Sequence, residues 1–209
     1  MGKIMKKLDI EQINEDLKGK SPQEIITWAL SIAKNPVITT NFRPYEVAIL
    51  HACTQIEPEL KVIWCDTGYN TPQTYKHANE LIQTLNLNVD LYVPQQTSAH
   101  RDSVMGIPQI EDSQHKIFTE QVKLEPFNRA MQEHKPDVWF TNLRNGQTAF
   151  RNSISVVSLS KEGVLKVSPF YNYTDEQLDA YLEEKELPNE FTYFDPTKVL
   201  ENRECGLHS

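Results

Sequence analysis

The last residues of the chain place a thiol among cationic side chains. Cys205 has Arg203 and His208 as near neighbours, and cationic neighbours favour the thiolate, which is the nucleophilic form of cysteine. The carboxylate of Glu204 acts against this effect, because a nearby negative charge raises the pKa of a thiol. Two interpretations stay open from these residues: Cys205 is a catalytic nucleophile, or it is a surface thiol at a frayed end.

Two loops that follow predicted strands carry groups suited to an anion or a nucleotide. The first loop consists of Thr39, Thr40, Asn41, Phe42 and Arg43, and the second of Asp66, Thr67, Gly68 and Tyr69. Hydroxyl, amide and backbone N–H groups at the start of a helix suit phosphate or sulfate, whereas a carboxylate at a strand end can orient a ribose or a metal. The first loop lacks the glycine-rich run of a P-loop. Each loop could equally be an ordinary capped turn.

Basic side chains recur between positions 123 and 151. They are Lys123, Arg129, Arg144 and Arg151. Arginine binds phosphate and sulfate oxygens through paired hydrogen bonds. Scattered surface arginines are the alternative interpretation. The polar loop 142–153 directly follows a predicted buried strand, and this position favours a binding role for the group.

The elements that must position these residues alternate between strand and helix. Strands are predicted at 36–40, 60–65, 89–93 and 136–141, with a hairpin of 154–159 and 164–168; helices are predicted at 8–18, 21–34, 44–56, 72–85, 126–133 and 175–186. This order predicts an α/β fold with a doubly wound, mostly parallel sheet. We expect a single domain over 1–209, with N-terminal helices in 1–34 and an irregular arm in 187–209.

Composition bounds the class of protein. The chain has 209 residues, 39% hydrophobic and 24% charged, with a net charge of -8, which argues against non-specific nucleic-acid binding. No apolar run is long enough to span a membrane. The basic start is not followed by an apolar segment, so we expect no signal peptide and a cytoplasmic location.

The cysteines and histidines do not fit a metal site. Three cysteines give no disulfide framework, and a four-cysteine iron–sulfur or zinc site needs one more thiolate. The six histidines show no metal-ligand spacing. We therefore expect no bound metal and no iron–sulfur cluster.

Taken together, four groups of residues resemble the motifs of the 3'-phosphoadenylyl-sulfate (PAPS) reductase family, the assimilatory sulfonucleotide reductases. They are Asp66-Thr67-Gly68-Tyr69 with Pro72, Thr74 and Tyr75; Lys123-Leu124-Glu125-Pro126-Phe127-Asn128-Arg129-Ala130; Thr141-Asn142-Leu143-Arg144 with Gln147 and Arg151; and Glu204-Cys205-Gly206-Leu207-His208. The last group is the most specific, and the others support it by their order and spacing.

The resemblance implies both a fold and a reaction. The fold is an adenine-nucleotide α-hydrolase-like parallel sheet with a mobile C-terminal catalytic arm. The reaction is the thioredoxin-dependent reduction of PAPS to sulfite and adenosine 3',5'-bisphosphate in sulfate assimilation. It proceeds through an S-sulfonate on Cys205, with no bound cofactor and with reduced thioredoxin as electron donor.

The resemblance also implies roles for individual residues. Cys205 is the nucleophile, and Arg203 and His208 stabilise its thiolate or the sulfate charge. The residues implied in substrate binding are Thr39, Thr40, Asn41, Phe42, Asp66, Thr67, Gly68, Lys123, Arg144, Gln147 and Arg151.

One departure from the family pattern bears on substrate choice. Arg43, followed by Pro44, stands where the family usually has glycine in its first loop.

Three alternatives stay open: a cluster-free reductase of adenylyl sulfate (APS), a nucleotide-binding regulatory protein without catalysis, and an ATP pyrophosphatase, which the missing glycine-rich loop disfavours. The choice of glutaredoxin or thioredoxin and the formation of a homodimer are also open.

Overall fold

The computed structural model describes residues 8–109, 111–145 and 154–197. Its elements are α1 Ile10–Asp16, α2 Pro22–Ile32, β1 Pro36–Thr40, α3 Glu46–Thr54, β2 Lys61–Cys65, α4 Pro72–Thr84, β3 Asn88–Tyr92, α5 Ser98–Val104, α6 His115–Thr119, a π-helix Glu120–Leu124, α7 Glu125–His134, β4 Val138–Phe140, β5 Val157–Leu159, β6 Leu165–Val167 and α8 Asp175–Glu184. None of the helices in these ranges has the length and apolar character needed to cross a bilayer.

The strands form one sheet in the order β3-β2-β1-β4-β6-β5. Every neighbouring pair is parallel except β5 with β6, which are antiparallel. The predicted α/β class, the mostly parallel sheet and the hairpin are confirmed. The chain order reverses beside β1, where β2 lies on one side and β4 on the other. Such a switch point opens a crevice at the carboxyl ends of the strands, where ligands bind in open α/β sheets.

Side chains of the central strands alternate between two cores. Ile38 and Val62 belong to a large cluster with α2, α3, α4 and α8, whereas Val37 and Ile63 join a smaller cluster with α7. Both faces of a parallel sheet must be covered, and the helices on the two faces do this. The sheet is therefore a rigid platform whose carboxyl edge is free to carry loops.

Local sequence signals set most helix starts. At α2, Ser21 and Glu24 form a reciprocal capping box with Pro22 in the first turn, as the sequence predicts. The helix predicted over 44–56 is shorter: α3 begins at Glu46 because Tyr45 adopts a left-handed conformation with φ of 67°. A residue in that conformation does not continue a right-handed helix.

The segment before α7 contains two short helices. Residues 97–120 contain α5 and α6, and the π-helix joins α6 directly to α7. A π-helical turn widens the hydrogen-bond ladder and is frequent at functional sites. Here it carries Lys123, which is one of the basic residues singled out from the sequence.

The outer edge of β5 is closed by a side chain from the N-terminal helix. Asn14 on α1 accepts a hydrogen bond from the Val157 N–H at 2.9 Å and donates one to the Val157 carbonyl at 2.8 Å. Its amide thus satisfies both backbone groups that a further strand would pair with. Unpaired strand edges invite association with other chains, and Asn14 removes this opportunity at Val157, the first residue of β5.

We predict that Asn14→Ala lowers the free energy of unfolding by about 1–3 kcal/mol, because both backbone groups of Val157 lose their partner. Denaturant unfolding would measure the loss. Gln12→Ala is the matched control, since Gln12 lies on the same helix and its amide bonds only the exposed Asp16. Equal effects of the two substitutions would contradict a specific role of Asn14.

Candidate functional site at the carboxyl edge of the sheet

Hydrogen bonds connect the loops that leave the carboxyl ends of the central strands. The Asn41 amide, oriented so that its nitrogen donates, bonds the Cys65 carbonyl at 2.9 Å and joins the ends of β1 and β2. The Trp139 indole N–H on β4 donates to the Thr39 hydroxyl at 2.9 Å. The first and second predicted loops therefore lie side by side at the switch point, as their positions after neighbouring strands require.

Glu46 supplies an internal anion to the first loop. Its carboxylate accepts hydrogen bonds from the Thr40 hydroxyl and the Asn41 N–H, both at 2.8 Å, and pairs with the Arg43 guanidinium at 2.7 Å. The Phe42 N–H donates instead to the Thr40 hydroxyl. We expected free N–H groups here that could receive phosphate. The structure differs, because a carboxylate in the first turn of α3 already satisfies the Asn41 N–H and the Thr40 hydroxyl.

The aromatic residue of the first loop lies in the core. Phe42 is 1% exposed and packs edge-on against Trp64 with ring centroids 4.9 Å apart. Its φ of 52° turns the backbone sharply after β1. The packing of Phe42 and the Thr39–Trp139 bond fix the shape of the loop. That these side chains line a nucleotide stays a prediction.

The second loop is a turn organised by Asp66. The carboxylate accepts hydrogen bonds from the Gly68 N–H and the Asn70 amide at 2.9 Å and from the Tyr75 hydroxyl at 3.0 Å. Gly68 has φ of 79°, a conformation that glycine adopts without strain. Burial and then the charge of Asp66 raise the pKa of Tyr75, which keeps its proton and donates it. The N-cap of α4 is Thr71, so Asp66 holds the loop and is not the helix cap.

Lys123 is buried and paired with a carboxylate from the C-terminal arm. Its ammonium lies 2.5 Å from Asp195, and the two side chains are 4% and 7% exposed. The Thr197 hydroxyl lies 3.4 Å from the same ammonium. Burial raises the pKa of Asp195, but the Lys123 charge and the hydrogen bonds from Lys123 and Thr197 outweigh it, so the pKa falls below its ordinary value.

Arg144 is the second buried cation of the edge. It is 7% exposed and pairs with Asp175 at the start of α8, 2.5 Å away. Its guanidinium also lies 5.2 Å from the centre of the Tyr45 ring, a cation–π distance. Arg144 follows β4, so the loop after this strand brings it next to the first loop. Arg43 extends the contact by donating to the Asn142 carbonyl at 3.5 Å.

Two amide side chains at this edge have an atom without a hydrogen-bond partner among the described residues. They are Asn142, through its buried Oδ1, and Asn189, through Nδ2. The other amide atom of Asn189 accepts the Tyr45 N–H at 2.9 Å. Buried polar atoms are nearly always satisfied by protein, water or ligand. An acceptor and a donor beside Arg144 and Tyr45 therefore suit a polar ligand.

The described part of the C-terminal arm, residues 187–197, crosses the site without forming a helix or a strand. The Thr192 carbonyl accepts hydrogen bonds from the hydroxyls of Thr71 and Thr74 at 2.6 and 3.3 Å, and the Phe191 ring packs edge-on against Tyr45. Together with the Asp195–Lys123 pair, these contacts attach the arm to the start of α4, to the residue before α3 and to the π-helix.

Sequence reasoning missed the carboxylates that pair with the cations, Glu46 and Asp195 above all. Both have local signals. Acidic residues are typical of a first helical turn, and Asp195 is followed by a proline and a threonine, whose N–H donates to Asp195 at 3.0 Å in an Asx turn. The basic partner of each carboxylate is either far away in sequence or one of several candidates. The local signal therefore identifies a turn or a helix start and not an ion pair.

The remaining predicted site residues lie outside the described residues. They are Gln147, Arg151, Arg203, Cys205 and His208. The other two cysteines, Cys53 and Cys65, are buried free thiols. Burial raises the pKa of both and brings that of Cys65 to about 12, so neither is a thiolate at neutral pH. Within the described ranges, no group of three or more histidine, cysteine or acidic side chains could hold a metal ion.

We predict that one thiol per native chain reacts rapidly with an aromatic disulfide reagent near pH 7, because the other two are buried and protonated. Cys205→Ser should remove the fast phase, and all thiols should react after unfolding. Cys53→Ser is the control and should leave the fast phase unchanged. A fast phase that survives Cys205→Ser would show that a buried cysteine is accessible and contradict this reading of the thiols.

Comparison with known sequences gives a consistent set of relatives. The family model described as "Phosphoadenosine phosphosulfate reductase domain" matches residues 35–195. A phosphoadenosine 5'-phosphosulfate reductase of Xylella fastidiosa is 33% identical over 187 residues, which cover 86% of this chain and 76% of the relative. A protein of the same name from Synechococcus is 31% identical over 184 residues, covering 86% and 78%.

Solved structures share the fold. The crystal structure of the phosphoadenylyl-sulfate (PAPS) reductase from Candida auris, a phosphate complex, has a TM-score of 0.78 at 24% identity and covers 90% of this chain and 91% of that chain. The U34-tRNA thiolase NcsA from Methanococcus maripaludis has a TM-score of 0.56 at 11% identity, covering 86% and 67%. At these identities the likeness concerns the fold alone.

Proposed function

The chain belongs to the phosphoadenosine phosphosulfate reductase family, and we propose that it reduces PAPS to sulfite and adenosine 3',5'-bisphosphate with thioredoxin as electron donor. The observation that carries this proposal is the pair of buried cations, Lys123 and Arg144, at the carboxyl edge of the sheet. Such cations suit the phosphate and sulfate oxygens of PAPS. The chain as a whole has a net charge of -8, so these two side chains are positive groups in a protein that is negative overall.

In the first step, the Cys205 thiolate attacks the sulfur of the activated sulfate. An S–S bond forms, the bond between that sulfur and the phosphate oxygen breaks, and adenosine 3',5'-bisphosphate leaves with the electron pair. The negative charge that builds on the leaving phosphate is offset by Lys123 and Arg144, which is the usual role of fixed cations in group transfer. Arg151 and Gln147 are proposed to complete this set, and Arg203 and His208 to stabilise the thiolate.

In the second step, a thiolate of reduced thioredoxin attacks the sulfur of Cys205. Sulfite leaves with the electron pair of the S–S bond, and a mixed disulfide joins the two proteins. The second thiol of thioredoxin then resolves this disulfide, so the dithiol supplies two electrons and Cys205 returns to the thiol. The raised pKa values of Cys53 and Cys65 support this assignment, because they leave Cys205 as the reactive cysteine of the sequence.

The nucleotide is proposed to lie across the first two loops, over Thr39, Thr40, Asn41 and Phe42 and beside Asp66, Thr67 and Gly68. The unpartnered amide atoms of Asn142 and Asn189 support a polar ligand at this edge. The Glu46 carboxylate occupies the position at the start of α3 where a bound anion would accept hydrogen bonds from Thr40 and Asn41. It therefore weighs against binding of a diphosphate at that position. The ATP pyrophosphatase alternative is correspondingly less suited to the chain.

We predict that the purified protein releases sulfite from PAPS when reduced thioredoxin is supplied, and that Cys205→Ser lowers this rate by at least about 1000-fold because the nucleophile is lost. Sulfite release and nucleotide binding would be measured on the same samples. Cys53→Ser should keep its rate. Sulfite release by Cys205→Ser would contradict the proposed covalent step, and binding without any turnover by the wild type would favour the regulatory alternative.

Substrate choice gives a separate prediction. Charge-assisted hydrogen bonds to the 3'-phosphate should make the KM for PAPS about 10- to 100-fold lower than that for APS. Steady-state kinetics with both nucleotides would measure the ratio. Equal KM values would favour the cluster-free APS reductase. They would also indicate that Arg43, held by Glu46 in the first loop, does not discriminate the 3'-phosphate.

A further inference from the structure

The Lys123–Asp195 pair is unusual because both members are almost fully buried. Their side chains are 4% and 7% exposed, and the charged atoms are 2.5 Å apart. Charged groups are rarely taken out of water without a partner, and removing one partner of such a pair leaves a costly buried charge. A Lys123 that stays both buried and charged therefore needs an anion at this position.

The same ammonium is the group that the proposed function assigns to an oxygen of the substrate. A phosphate or sulfate beside Lys123 would lie close to the Asp195 carboxylate, and two anions at such separations repel each other. Lys123 can satisfy its need for an anion with Asp195 or with the ligand. If the anion of the ligand replaces the Asp195 carboxylate, the charge of Lys123 is neutralised both before and after the exchange.

Asp195 belongs to the arm, so such an exchange would change how the arm is held. Other hydrogen bonds of the arm are neutral: the Thr192 carbonyl accepts from the hydroxyls of Thr71 and Thr74, and the Asn189 amide oxygen accepts from the Tyr45 N–H. The Lys123–Asp195 pair is a buried charged attachment of residues 187–197. Loss of the pair would remove a buried charged contact between the arm and the edge of the sheet.

We infer that Asp195 is a positioning residue that acts as an exchangeable internal anion. It holds Lys123 and the arm together in the free protein, and an anionic group of the bound nucleotide displaces it. The inference rests on the proposed function, because it takes the sulfonucleotide as the competing anion. It adds that the anionic group of the nucleotide binds Lys123 in the same event in which Asp195, and with it the arm, separates from Lys123.

The test is calorimetric binding of adenosine 3',5'-bisphosphate to the full chain and its variants. Because an internal competitor reduces apparent affinity by the fraction of sites that it closes, Asp195→Asn should bind about tenfold more tightly than the wild type. Glu59→Gln, which removes an exposed carboxylate away from Lys123, is the charge-matched control and should bind as the wild type does. Unchanged or weaker binding by a folded Asp195→Asn would overturn the inference.

A double-mutant cycle separates direct exchange from a general effect of charge. In a Lys123→Met background the internal pair no longer exists, so the further change Asp195→Asn should not tighten binding. The double variant also replaces both buried charges, which is far less costly than leaving one unpaired. Equal tightening with and without Lys123 would show that Asp195 acts on the ligand through the overall field, and this outcome overturns the exchange.

A measurement on the wild type keeps the inference testable if Asp195→Asn does not fold. The carboxyl carbon of Asp195 would be titrated by NMR in the free protein and in the bisphosphate complex. Lys123 and Thr197 are the groups that hold the pKa of Asp195 below its ordinary value in the free protein, and displacement should raise it. A pKa equally low in the complex would mean that Asp195 still faces Lys123, and the inference would fail.

The binding measurement tests the role of Asp195, and the measurement of sulfite release tests the proposed function. A protein that shows the tightening but releases no sulfite would contradict the proposed function and support Asp195 as an exchangeable anion. Sulfite release without tightening in Asp195→Asn would overturn the inference alone.

Discussion

The organisation of the site depends on the neutralisation of buried cations. The buried Lys123 pairs with Asp195 and the buried Arg144 with Asp175, and the partly buried Arg43 pairs with Glu46. A cation that binds substrate oxygens works best when it is withdrawn from water, but withdrawal without a counter-charge is too costly to keep. Each of these three basic side chains therefore has a carboxylate, and two of the three carboxylates come from the C-terminal third of the chain. This constraint ties the last part of the sequence to the edge of the sheet.

The sheet supplies the rigidity that such pairing requires. Cores on both faces fix the strands, and the switch point beside β1 brings the loops after β1, β2 and β4 together. The π-helix before α7 presents Lys123 to the same edge. Because the loops bond one another, as Asn41 does with Cys65, the edge is a preformed surface. The arm that crosses it is attached through hydrogen bonds, a ring contact and the Lys123–Asp195 pair.

The cysteines also fall into two groups, those within the rigid sheet platform and the one proposed to react. Cys53 and Cys65 lie inside the platform, where burial keeps them protonated and inert. The proposed nucleophile, Cys205, stands near the end of the chain, in the part of the arm that follows the described residues. A sulfur that must meet a nucleotide and then a protein thiol cannot be fixed in a core. The proposed mechanism therefore expects the reactive thiol to be separate from the two inert ones.

The sequence by itself determined the sheet, the helix starts with capping signals and the family motifs. Alternating strands and helices, the Ser21–Glu24 capping box and the hairpin around Gly163 are local patterns, and local patterns can be read along the chain. Tertiary structure alone decided the shortened α3, whose start depends on the left-handed Tyr45. It also decided the role of Asp66 as the anchor of its loop, and the pairing of Lys123 with a residue 72 positions away. Buried charges choose partners by proximity in the folded chain, and no spacing in the sequence encodes that proximity.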